Sequence, residues 1–60
     1  MKLWDVAKLT SGKIRIFDWK DKSKNVYDNY LYIPNELKNR TVCMISSYDG
    51  MVEFTLRWNN

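Results

Sequence analysis

Sixty residues with 45% hydrophobic and 28% charged side chains make one small domain over 1–60, with no apolar run long enough for a membrane span. With no histidine and a single cysteine, Cys43, the chain lacks the commonest general base, an ordinary zinc site and any internal disulfide. The formal charge is +3, and the whole excess falls between residues 13 and 24, where Lys13, Arg15, Lys20, Lys22 and Lys24 meet only Asp18 and Asp21.

In chain order, "KLWDVAKLTSG" predicts a short helix over roughly residues 2 to 10. Leu3, Val6 and Ala7 fall on one stripe with Leu9 at its edge, and Gly12 is placed to end the helix in a left-handed turn. Asp5 and Lys8 interrupt any apolar run, so the segment reads as neither signal peptide nor membrane anchor. The lone cysteine points to a reducing compartment, and a cytoplasmic location is expected. A helix this short must be held by packing. Trp4 is expected to fill the core beside it.

"KIRIFDW" reads as the first strand, with Ile14 and Ile16 on one face and Lys13, Arg15, Phe17 and Trp19 on the other. The polar "KDKSKN" then turns into "VYDNYLYI", a second strand that would send Leu31 and Ile33 inward and Tyr30 and Tyr32 outward. Pro34 breaks the ladder. "PNELKN" predicts one helical turn with the proline in its first position and Asn39 closing it, and Arg40 following to solvate it.

"TVCMISSY" is the third strand, in which Val42 and Ile45 have opposite parity, so a bulge is expected. Cys43 is expected to pack inside it. Asp49-Gly50 marks a tight hairpin that needs positive φ, with Tyr48 packing across it. The fourth strand, "MVEFTLRW", alternates cleanly: Val52, Phe54, Leu56 and Trp58 share one face, with Trp58 at the core rim, and Met51, Glu53, Thr55 and Arg57 share the other. The tail Trp58-Asn59-Asn60 extends toward a neighbouring subunit in this reading.

These elements compose an α+β domain, a short N-terminal helix packed on a four-stranded, mostly antiparallel sheet of two hairpins. The sheet face away from the helix then gathers Lys13, Arg15, Phe17, Trp19, Tyr30, Tyr32 and Arg57. Scattered acids, serines without a base and the lack of a glycine-rich loop give no catalytic constellation, so a non-enzymatic protein without cofactor or metal is expected. Rings stack on nucleobases while lysine and arginine engage phosphate, which suits an anionic nucleotide. Arg15 and Lys13 would take phosphate, with Trp19, Phe17 and Tyr32 on the base. The same residues suit a protein interface or the seam of a homo-oligomer, which the small core also favours. Single-stranded nucleic acid is the third reading.

The stretches Gly12-Lys13-Ile14-Arg15-Ile16, Ile33-Pro34-Asn35-Glu36-Leu37, Asn39-Arg40 and Asp49-Gly50, in this order after a short helix, resemble very small accessory proteins of phages and prophages. The resemblance covers nearly the whole chain and rests on fold-level motifs. It implies an immune-evasion protein acting in the host cytoplasm. Sponges for cyclic nucleotide or ADP-ribose-type messengers are one class of these, and anti-CRISPR-like inhibitors that bind a host protein are another. It carries over no ligand residues.

Overall fold

Leu3 and Ala7, one helical turn apart, are both fully buried, and they seat the helix α1 (Leu3–Ala7) on the sheet. The structure, a computed structural model, describes residues 1–58, with Tyr48 described by its backbone alone. The cross-hairpin packing expected of the Tyr48 ring and the reach of the Asn59-Asn60 tail therefore fall outside the described residues. α1 is shorter than the expected span because its last turn tightens. Leu9 and Thr10 donate their N–H groups to the Val6 and Ala7 carbonyls at 3.2 and 3.0 Å, three residues back. Leu9 is left exposed, and Gly12 (φ +87) turns the chain into the sheet. No helix among the described residues is long and apolar enough to cross a membrane.

The strands are β1 (Ile14–Asp18), β2 (Ser23–Tyr27), β3 (Val42–Tyr48) and β4 (Met51–Leu56), in the order β2-β1-β4-β3. β1 and β2 form one antiparallel hairpin, and β3 and β4 the other. The hairpins join through a parallel pairing of β1 with β4 that sets Ile14 opposite Val52 and Asp18 opposite Leu56. Both central strands carry the apolar alternation, and their inward residues Ile14, Ile16, Phe54 and Leu56 form the core with Leu3, Ala7, Ile33 and Val42.

The second strand departs from the expectation. β2 begins at Ser23 and ends at Tyr27, because local turn chemistry claims the residues on either side. The Asp21 carboxylate accepts the Ser23 N–H at 3.0 Å, and Lys22 has a positive φ of 58°. Further on, the Asn29 side chain accepts the Leu31 N–H at 2.8 Å and opens a 3-10 turn over Tyr30–Tyr32. Tyr30 and Tyr32 are consequently not on the sheet, and Leu31 points to solvent, while Ile33 is buried as expected. A second 3-10 turn, Asn35–Leu37, follows Pro34, which sits just before it rather than in its first position.

The expected bulge lies between Val42 and Met44. Its extra residue brings Val42, opposite Leu56, and Ile45, opposite Phe54, onto the same face, which resolves their mismatched parity. Cys43, at the bulge, is exposed rather than packed. Trp58 lies beyond the end of β4 and is 70% exposed, not part of the core rim. Trp4 is half-buried, with the Tyr30 ring tilted against it at 5.5 Å and the Lys38 ammonium 4.1 Å from its ring centroid.

Arg40 does more than solvate a turn. Its Nη1 and Nη2 donate to both carboxylate oxygens of Asp18 at 2.9 and 2.8 Å, and Nη2 also donates to the Arg57 carbonyl at 2.8 Å. The fork thus ties the loop before β3 to the ends of β1 and β4. Asp18 is buried, and its carboxylate also accepts the Lys20 N–H at 3.0 Å. The hydrogen bonds from Arg40 hold the Asp18 carboxyl below the usual carboxylate range, against an opposing push from burial.

The Asp49-Gly50 turn has φ of 52° and 81°, the left-handed pair that a two-residue hairpin demands. A Cβ at Gly50 would meet nothing within 4 Å, so Gly50→Ala carries only a backbone cost. The variant is expected to lose about 1–2 kcal/mol, read as a lowered urea midpoint with an unchanged slope.

Candidate functional site

The residues of β1 alternate between core and open face, and this parity builds the site. Ile14, Ile16 and Asp18 are buried under the helix side, whereas Arg15 and Phe17 lie on the face that α1 does not cover. Strand register then assigns their neighbours. One row across the sheet runs Lys24, Phe17, Thr55 and Met44, and the next runs Val26, Arg15, Glu53 and Ser46. Trp19, just past the end of β1, folds back over the first row. Its ring meets Phe17 edge-on, with centroids 4.9 Å apart and planes at 72°.

All of these side chains except Val26 and Ser46 line a shallow depression of about 240 Å³. Thr55 forms part of its floor and is only 2% exposed, while Trp19 remains 46% exposed and offers its ring to solvent. The Lys24 ammonium stands 5.6 Å from the Phe17 ring centroid, within cation–π range. Arg15 is not an isolated cation: its Nε lies 2.9 Å from Oε2 of Glu53, with both side chains largely buried. The centre of the face is therefore close to neutral, and its accessible positive charge lies toward the β1–β2 turn, where Lys20 and Lys22 are exposed beside Lys24.

Comparison with protein-family models, with curated proteins and with solved structures finds no match to this chain.

Of the seven residues the sequence nominated, the structure brings together Arg15, Phe17 and Trp19. Lys13 is exposed just ahead of β1 and does not line the depression. Tyr30 packs against the core and Trp4, and Tyr32 is exposed on the same 3-10 turn. Arg57 is exposed beyond β4 and contributes its carbonyl to the Arg40 fork. Four lining residues were not nominated: Lys24, Met44, Glu53 and Thr55. Glu53 and Thr55 lie on the face of β4 that its alternation predicts. What was missing was the parallel pairing that sets them beside Arg15 and Phe17. Among the described residues, no group of three or more His, Cys, Asp or Glu side chains converges to hold a metal ion.

Proposed function

We propose that this chain is a non-enzymatic cytoplasmic binding protein of phage type that takes an anionic nucleotide on its uncovered sheet face. One observation carries the reading: an exposed Trp19 ring is propped edge-on by Phe17, with Lys24 over the Phe17 ring and Lys20 and Lys22 on the adjoining turn. Trp19 supplies the stacking surface, worth about 1–3 kcal/mol per base. Lys24, with the turn lysines, supplies phosphate contacts as flexible point charges. Arg15 contributes less to phosphate than its position suggests, because Glu53 already holds it. The sequence resemblance to phage accessory proteins supports looking first among the signalling nucleotides of host defence.

Calorimetry against cyclic dinucleotides, cyclic ADP-ribose isomers and short single-stranded oligonucleotides tests the proposal. Saturable binding to at least one member is expected, and silence across the panel would abandon it. Glu53→Gln removes the counter-charge at Arg15 and raises the positive potential over the depression. This variant is expected to bind the same nucleotide a few-fold more tightly at low salt, with the gain shrinking as salt is added.

The Arg15–Glu53 pair favours one second reading. A neutralised centre flanked by exposed Met44 and Val26 is also the anatomy of a protein interface. An inhibitor of a host enzyme, bound through this face, would form a stoichiometric complex and show no nucleotide affinity.

A further inference from the structure

β3 is an edge strand, and its hydrogen-bonding groups can be followed residue by residue. The Asp49-Gly50 turn is closed by Tyr48 opposite Met51, a pair that exchanges backbone hydrogen bonds in a two-residue hairpin. Alternation along an antiparallel ladder then turns Ser46 toward β4, and Ile45 and Ser47 away from it. At the bulge the parity flips, so that Val42 also faces outward. Its N–H is met there by the Met1 carbonyl at 2.8 Å, beside the bridge between Lys2 and Thr41. The N-terminal residues thus cover the first part of the edge. Among the described residues, Ile45 and Ser47 are left with outward N–H and C=O groups and no strand beside them.

The two edges of the sheet differ in chemistry. β2 at the far edge carries Lys24 in five residues, the charge that discourages strand pairing. β3 has no charged residue and no proline in its seven, and two of its apolar side chains, Met44 and Ile45, are about half exposed. A chain with ten cations and seven acids has placed none of them here.

We infer that β3 pairs antiparallel with β3 of a second copy, with the two-fold axis at Ser46. Only this register uses both open residues of each copy: Ile45 faces the partner copy's Ser47, Ser47 faces its Ile45, and Ser46 faces Ser46. A neutral edge meets an identical neutral edge without repulsion, and two four-stranded sheets become one continuous sheet. Both uncovered faces then lie on the same side of it. The additional burial also supplies what a core of this size lacks. This pairing is independent of the nucleotide reading, and its test reads mass and cross-linking alone.

The experiment is sedimentation equilibrium of the full chain, with far-UV circular dichroism to follow the fold. A concentration-dependent dimer is expected. Ser47→Pro removes an outward N–H that the intramolecular ladder does not use, and it should weaken the dimer about tenfold or more while the fold is kept. Ser46→Cys in a Cys43→Ser background places two thiols in a non-hydrogen-bonded pair, whose close Cα spacing suits a disulfide. It should cross-link under mild oxidation far faster than Ser11→Cys in the same background. A monomer at every concentration overturns the proposal, as does a dimer indifferent to Ser47→Pro. If Ser47→Pro loses the fold, the cross-link decides: Ser46→Cys joining no faster than Ser11→Cys overturns it.

Discussion

Arg40→Ala is expected to lower the stability of the fold by about 3 kcal/mol, near the low end of what removing one partner of a buried ion pair costs. A core of this size contributes only about 3–5 kcal/mol net, so the variant should be at the margin of folding. The reason is geometric. Asp18 is buried and both its oxygens accept from the Arg40 fork, so among the described residues the substitution leaves a desolvated carboxylate with the Lys20 N–H as its remaining hydrogen-bond donor. The Arg57 carbonyl loses a donor in the same stroke. Arg40→Lys keeps the charge but not the fork, and it should fall between wild type and alanine. Urea unfolding followed by tryptophan fluorescence measures all three.

The same pair predicts a pH dependence whose sign is fixed. Asp18 has a carboxyl pKa lowered in the folded state, chiefly by its hydrogen bonds from Arg40. Its contribution is therefore fully present above the unfolded value of about 3.9 and is lost as pH falls through the folded one. Wild-type stability should hold from neutral pH down to about pH 5 and fall below about pH 4. In Arg40→Ala this loss should shrink. Asp21, also lowered by its hydrogen bonds with Ser23, contributes with the same sign, so the difference between the two proteins is the quantity to read.

Trp19→Ala carries the second large effect, on binding rather than on stability. The side chain is 46% exposed, and its principal intramolecular contact is the edge-on meeting with Phe17, a pairing worth about 0.5–1.5 kcal/mol. The fold should survive with a stability loss of about 1 kcal/mol. Nucleotide affinity, where the platform has it, should drop by about 5- to 150-fold, the equivalent of one lost stacking contact. Unchanged affinity would move the ligand off this face altogether. Lys24→Gln should weaken binding less and flatten its salt dependence, which separates the charge from the ring.

Much of the fold was legible because its signals are local. Alternation in β1 separates Ile14 and Ile16 from Arg15 and Phe17, Asp49-Gly50 specifies its turn, and the conflicting parity of Val42 and Ile45 requires an extra residue between them. What was misread had two physical causes. Tyr30, Leu31 and Tyr32 have strong strand propensity, yet the Asn29 side chain captures the Leu31 N–H and coils the segment into a 3-10 turn. The pair Asp28-Asn29 was the available sign of a turn there. The other cause is long-range. Nothing within a window of ten residues says that Arg40 will reach Asp18, or that Glu53 will lie beside Arg15. Both follow from the parallel joining of the hairpins. For the same reason the sequence overstates the charge of the platform, since Arg15 is held by Glu53 and Arg57 lies beyond the end of β4.

That parallel seam also governs how the chain reaches its native state. Each hairpin closes over a short turn, but Ile14 gains its second neighbour only when Val52 arrives from the other half of the sequence. The entropy of closing that long loop must be met in one event, after two quick local ones. The meeting of the two hairpins, rather than the closure of either, is therefore expected to set the tempo of folding.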